Sequence, residues 1–286
     1  MSLNGPHILI VDGYPVQDRK NLSECGMDTA GDLYAQMLKA ICPSASFEII
    51  YPSDPDTALA QATSLGSFDG VAWTGSSLTI HDETDKRVAR HVQLAREAYL
   101  VGVPQYGTCW GIQVAAVAAG GTVAAHPKGR EMGIARKITL TQAGRGHAMY
   151  TNKPMTFDGY VSHFDGVTHA PSGAEVLAEN AFTQVQALSV HHEKGTFWGL
   201  QYHPEYDLFQ MARLIFCRRT ALTNEGFFKD ETEALALVEK YEQLHQNPDD
   251  MALAWPLGVE ADLLIDTIRQ TEPRNWIERL VLPNMR

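Results

Sequence analysis

The first 120 residues alternate short apolar runs with stretches of helical periodicity, which limits the fold to a sheet of parallel strands covered on both faces by helices. The apolar runs are "HILIVDG" (7–13), "SFEIIYP" (46–52), "FDGVAWTGSS" (68–77) and "VPQYGTC" (103–109). Between them, "TAGDLYAQMLKAI" places Leu33, Met37, Leu38 and Ile41 at helical spacing, and "DPDTALAQATSLG" predicts a short helix closed by glycine. "DETDKRVARHVQLAREAYLVG" gives the strongest helix, with an acidic first turn and Gly102 as its stop. In such sheets ligands bind beyond the carboxyl ends of the strands. Cys109 and the loop at Gly75 both fall there.

After Gly121 the pattern changes. "MGIARKITLTQ", "PMTFDGYVSH", "AEVLAEN", "VQALSVHH" and "TFWGLQYHPE" predict short strands joined by turns, hence antiparallel ribbons, and "DLFQMARLIFCRRTALT" a helix returning to the sheet. From about Asn224 onward the sequence is largely helical, with breaks at "NPDD", "WPLG" and "EPRN" and few apolar anchors, so it is expected to dock on the core rather than fold alone. A formal net charge of −11 opposes binding to a nucleic-acid backbone. No run approaches the ~20 apolar residues of a membrane span, and "MSLNGPHILIVDG" lacks the features of a signal peptide. The expectation is a cytoplasmic protein with neither nucleic acid nor membrane as partner.

The four cysteines, Cys25, Cys42, Cys109 and Cys217, show no metal or disulfide spacing. Cys109 differs from the others by its setting, "GTCWGIQ", where an apolar run ends and a helix of small residues begins. A thiol on such a turn is exposed at the top of the sheet, and the positive helix end favours thiolate over thiol. Gly107 and Gly111 suit a strained turn and a close approach of helix to sheet. A nucleophile needs a base, and the base an orienting group. "FWGLQYHPE" supplies His203 and, two residues on, Glu205, which an extended backbone would place on one face, with Pro204 fixing a torsion between them. His191 and His192, adjacent and therefore on opposite faces of a strand, read as a hairpin tip rather than metal ligands; no metal or cofactor is expected. His163 reads as a positioning residue, Asp12 as a loop anchor, and Cys25, Cys42 and Cys217 as structural thiols.

Together, "GTCWGIQ" and the distant "QYHPE" resemble the G-x-C-x-G-x-Q elbow and H-P-E motif of the class I, triad-type glutamine amidotransferases. "VSHFDGV" is similar to the segment that usually reads S-H-G-D in the amidotransferase domain of GMP synthases. The resemblance covers roughly residues 5–220. It implies an α/β, flavodoxin-like fold with a mixed, mainly parallel central sheet and helices on both faces over residues 1–223, and says nothing of residues 224–286, whose helical pattern alone predicts a C-terminal helical extension. It also implies roles. Cys109 would attack the side-chain amide of L-glutamine, His203 would carry protons, and Glu205 would orient the imidazole. Water would then hydrolyse the γ-glutamyl thioester after ammonia leaves. Backbone N–H groups of Gly75 and Trp110 would form the oxyanion hole, each worth about 3 kcal/mol of barrier. Gln113, Ser162, His163 and Phe164 would surround the substrate's α-amino and carboxylate groups.

Three positions depart from the family pattern: Thr108 replaces an aliphatic residue, Phe164 the glycine of S-H-G-D, and "WTGSSLTIHDE" the G-G-P that follows Gly75 in GMP synthases. The chain carries no G-x-x-x-x-G-K-[ST] or S-G-G-x-D-S motif for using ATP. The leading reading is a stand-alone glutaminase that releases ammonia for an unidentified acceptor, a separate synthetase subunit being one candidate. Two others fit the same residues: a hydrolase of another small γ-glutamyl amide or peptide, and a catalytically idle regulatory subunit docked through its helical tail with Trp255 and Trp276.

Overall fold

Each apolar run of the first 120 residues forms a strand in the computed structural model, which describes residues 5–55, 57, 62–82 and 84–285. These are β1 (His7–Val11), β2 (Ser46–Ile50), β3 (Gly70–Trp73) and β4 (Gln105–Thr108). The second half adds β5 (Thr122–Ala125), β6 (Glu131–Leu140), β7 (Thr156–His163), β8 (Asp165–His169), β9 (Ala174–Glu179), β10 (Ala187–His192) and β11 (Gly195–Leu200). Nine of them form one sheet in the order β2-β1-β3-β4-β11-β10-β9-β6-β7. β2, β1, β3, β4 and β11 pair in parallel. Antiparallel pairing then links β11, β10, β9, β6 and β7, so all but β10 and β6 run in one direction. This is the expected mixed, mainly parallel sheet.

Period-two alternation sends neighbouring residues of β1 to opposite faces. Leu9 and Val11 pack with Val71 and Trp73 beneath the helices Lys86–Val101 and Trp110–Ala118. Ile8 and Ile10 pack on the other face with Tyr34, Met37 and Leu38 of the helix Ala30–Ile41. Gly102 ends its helix at φ 83°, where a Cβ would lie 2.9 Å from the Lys194 carbonyl. Of "DPDTALAQATSLG", a helix is described over Ala62–Leu65, while residues 56 and 58–61 lie outside the described residues.

Three elements have no clear sequence pattern. The helix Val16–Glu24 buries Leu22 alone, so it carries no apolar stripe. β5 and β8 form a separate two-stranded ribbon from short segments with little alternation. Strand β11 ends at Leu200, three residues before His203.

The residues after Asn224 contribute directly to the core. Helix Glu231–Gln246 buries Ala234, Val238, Tyr241 and Leu244 against Leu208–Asn224. Further on, Trp276, Ile277 and Val281 join the cluster of Ile8, Ile10 and Tyr106, with the Trp276 ring 5.6 Å from that of Tyr106. Beside it Glu272 accepts from Lys153 at 3.0 Å and from the Tyr202 hydroxyl at 2.6 Å, all buried. Burial lowers the Lys153 pKa, and Glu272 opposes that effect. A buried cation of this kind needs its partner. The tail's buried apolar anchors are thus more numerous than its sequence suggests, whereas Trp255 is 72% exposed.

Trp276→Ala is expected to lower the unfolding free energy by about 3–5 kcal/mol, the cost of emptying a buried indole site. Urea unfolding of the full chain measures it, and a loss below ~1 kcal/mol would show that the tail does not share the core.

Candidate active site

Cys109 is the hinge between β4 and the helix Trp110–Ala118, with φ 51° and ψ −96°. A non-glycine residue in this region costs about 1–3 kcal/mol and persists only where its surroundings enforce it. Here the backbone N–H of Cys109 donates to the Leu200 carbonyl at 2.7 Å, tying the turn to the end of β11. The flanking glycines explain how the helix crosses the sheet. A Cβ on Gly107 would sit 2.8 Å from Trp73 Cβ, and one on Gly111 would sit 3.0 Å from the Trp73 carbonyl. The close approach anticipated from "GTCWGIQ" is therefore made onto β3.

His203 and Glu205 meet, but not on an extended strand. A turn brings them together: the Tyr206 N–H donates to the His203 carbonyl at 3.3 Å, with Pro204 and Glu205 between. Pro204 accepts from Arg269 Nε at 3.2 Å, so the tail braces the turn from behind. His203 Nδ1 donates to Glu205 Oε1 at 2.7 Å. The same oxygen accepts from Thr108 Oγ1 at 2.9 Å, so the Tyr34 hydroxyl, 2.7 Å away, is the donor to Thr108. Thr108 is thus a second partner of the carboxylate. Tyr206 stacks on the imidazole at 4.2 Å and 5°.

Burial would lower the His203 pKa, but the Glu205 carboxylate and the neighbouring Cys109 sulfur outweigh it and raise the imidazole to about 9. Nε2 makes no hydrogen bond of ordinary geometry, so the contact with sulfur is loose. This arrangement can hold a proton beside Cys109 at neutral pH and release it to a leaving group.

The sulfur opens on a cavity of about 400 Å³ lined in part by Ser76, Gln113, Arg130, Ser162, His163, Phe164, Asp165 and Arg218. All four residues assigned to the substrate by resemblance therefore lie along it. Gln113 Nε2 donates to the Asp165 carbonyl at 3.0 Å. The Ser162 carbonyl is 3.8 Å from Cys109 Sγ. His163 is clamped between the Asp165 carbonyl and Glu131, each at 3.0 Å, which fits a positioning residue. Phe164 is exposed at its ring, with the Arg130 guanidinium 3.8 Å from the centroid. Of the two backbone donors, Trp110 is the first residue of its helix, where an N–H has no acceptor within the helix. Gly75 faces the imidazole, since a Cβ there would meet His203 Cε1 at 3.3 Å.

Other expectations resolve simply. Asp12 accepts from the Tyr14 and Gly31 N–H groups, both at 2.9 Å, and burial raises its pKa to about 6. His191 and His192 end β10 beside the turn at Glu193 and Lys194. Among the described residues no three metal-binding side chains cluster, and no helix is long and apolar enough to cross a membrane. The sequence reading missed Thr108, Tyr34, Glu131, Arg130 and Arg218. Only the unusual Thr108, beside the cysteine, carried any signal.

The imidazole pKa is testable directly. NMR titration of His203 is expected to give a value near 9 in the native chain. In Glu205→Gln it should fall, because burial remains while the carboxylate charge is gone. An unchanged value would break the assignment of Glu205 as the group that holds the proton on His203.

The family model for class-I glutamine amidotransferases matches residues 49–218. A gamma-glutamyl-L-1-hydroxyisopropylamide hydrolase of Pseudomonas sp. is 30% identical over 285 residues, covering 96% of this chain and 93% of that protein. A glutamine-hydrolysing GMP synthase of Thiobacillus denitrificans is 31% identical over 147 residues, covering 48% of this chain and 25% of the synthase. Among solved structures, a glutamine amidotransferase from Thermotoga maritima superposes with a TM-score of 0.69 at 17% identity, covering 98% of this chain and 99% of that one, which shows a shared fold. With the family model spanning more than half of its length and a relative aligned almost end to end, the chain belongs to the class-I glutamine amidotransferases.

Proposed function

We propose that this protein hydrolyses the amide bond of a small γ-glutamyl amide through a thioester on Cys109. The observation that carries the reading is the strained Cys109 at the wall of a cavity, beside an imidazole bonded to Glu205 at 2.7 Å. With the proton already held on His203 Nε2, the Cys109 sulfur attacks the γ-carbonyl carbon as thiolate. The oxyanion accepts from the Gly75 and Trp110 N–H groups. As the C–N bond breaks, His203 returns the proton to the departing nitrogen, which leaves as ammonia or an amine. Water, losing a proton to His203, then attacks the thioester, frees glutamate and restores the thiolate. Glu205 stabilises the imidazolium throughout, and Thr108 and Tyr34 hold Glu205 in place.

The substrate reading favours an N-alkyl γ-glutamyl amide. Its support is the near full-length likeness to the hydroxyisopropylamide hydrolase, tail included, against a likeness to only a quarter of a GMP synthase. The second reading is hydrolysis of L-glutamine with ammonia passed to a separate synthetase subunit, which the GMP synthase likeness supports.

Glutamate release by the purified chain separates these readings. With γ-glutamyl-isopropylamide the expected kcat/KM exceeds that for L-glutamine, and Cys109→Ala lowers both by ~10⁴-fold or more. Preference for L-glutamine would favour the ammonia-supplying role. Turnover surviving Cys109→Ala would end the thioester mechanism, and an inert wild-type chain would favour the regulatory reading.

A further inference from the structure

The cavity beside Cys109 presents two guanidinium groups, and they are not equivalent. Arg130 is already neutralised: it donates to the two carboxylate oxygens of Glu225 at 2.8 and 3.2 Å and lies over the Phe164 ring. Arg218 has no carboxylate within ion-pair distance among the described residues. Its hydrogen bond is to a neutral group, Ser162 Oγ, at 2.6 Å. Its other neighbours are the hydroxyls of Tyr14 and Tyr206 and the Cys109 sulfur, the last of which lines the cavity. The next residue, Arg219, turns away from the cavity and pairs with Glu231 at 3.1 Å. Half-buried guanidinium groups normally face a carboxylate or phosphate, whose planar oxygens match their paired donors. Arg218 therefore lines the cavity with no carboxylate, among the described residues, in reach of its donors: Asp165, on the same wall, pairs instead with His81 at 3.4 Å.

Ser162 bridges the two groups, with its carbonyl 3.8 Å from Cys109 Sγ and its hydroxyl on Arg218. In a γ-glutamyl compound the reacting carbonyl carbon and the α-carboxylate carbon are four bonds apart, about 5 Å when extended. We infer that Arg218 is the substrate-binding residue that receives the α-carboxylate, so that the site takes γ-glutamyl amides and not simple alkyl amides lacking that group. The assignment rests on the hydrolytic reading of the same cavity, deepens it, and adds a residue that neither motif contains. Arg218 selects and Cys109 reacts. The guanidinium fixes one end of the substrate, while the leaving group extends away from it.

The test is binding rather than turnover, so that it stands apart from the hydrolytic mechanism. Titration calorimetry of L-glutamate, the product, into Cys109→Ala is compared with the same titration into Cys109→Ala/Arg218→Ala and Cys109→Ala/Arg218→Lys. L-Glutamate is expected to bind Cys109→Ala, to weaken by ~100-fold with Arg218→Ala, and to recover in part with Arg218→Lys. 4-Aminobutyrate, which lacks the α-carboxylate, is expected to bind all three alike. L-Glutamate affinity within twofold between Cys109→Ala and the alanine double variant would overturn the inference. So would failure of L-glutamate to bind Cys109→Ala, or equal weakening of both ligands, the last showing a merely structural role. Arg218-dependent binding in a chain that hydrolyses no γ-glutamyl amide would retain the inference and reject the proposed reaction.

Discussion

The close crossing of the helix Trp110–Ala118 over β3 at Trp73 is the constraint on which the site depends. Two missing side chains, at Gly107 and Gly111, allow it, because any Cβ there would strike Trp73. With the helix held this close, the connecting residue must turn sharply, and Cys109 takes up positive φ as a result. The Leu200 carbonyl captures its N–H and sets the nucleophile against the end of β11. From there three residues of chain reach His203. The strain at Cys109 is thus sustained by packing that is itself well enclosed.

Around that turn the protein arranges a buried chain of polar groups whose directions are determined. Tyr34 donates to Thr108, Thr108 to Glu205, and His203 to the same carboxylate oxygen. Each donor is drawn from a different part of the sequence, and the carboxylate is the common acceptor. The consequence is an imidazole that keeps its proton despite burial. The residues after Asn224 serve the same end: Arg269 braces Pro204, and Glu272 with Trp276 closes the face of the sheet behind Tyr106 and Tyr202. The tail belongs to the platform that holds the turn.

The sheet and the two motifs were legible because their signals are local. An apolar run followed by helical periodicity reports a parallel strand and its crossover, and a cysteine between glycines reports a tight turn wherever the fold places it. The partners of those motifs were not legible for a physical reason. Tyr34 and Thr108 are 74 residues apart in the chain, and nothing in either neighbourhood announces the hydrogen bond. Arg218 and Arg219 are adjacent and chemically identical, yet the helix turns one toward the cavity and the other toward Glu231. Glu131, which holds His163, Asn180, Thr183 and Gln186, gathers partners from β7 and the loop between β9 and β10. The extended conformation expected at His203 gives way to a turn, since β11 ends at Leu200 and Pro204 contributes no donor to a strand ladder.

The account turns on a covalent bond to one sulfur. Acid quenching of the purified protein during turnover of γ-glutamyl-isopropylamide, followed by peptide mass spectrometry, reads that bond directly. A γ-glutamyl group on the peptide carrying Cys109, absent from those carrying Cys25, Cys42 and Cys217, is the predicted result. Turnover in which Cys109 stays free while the γ-glutamyl group is found on another residue, or on none, would contradict it.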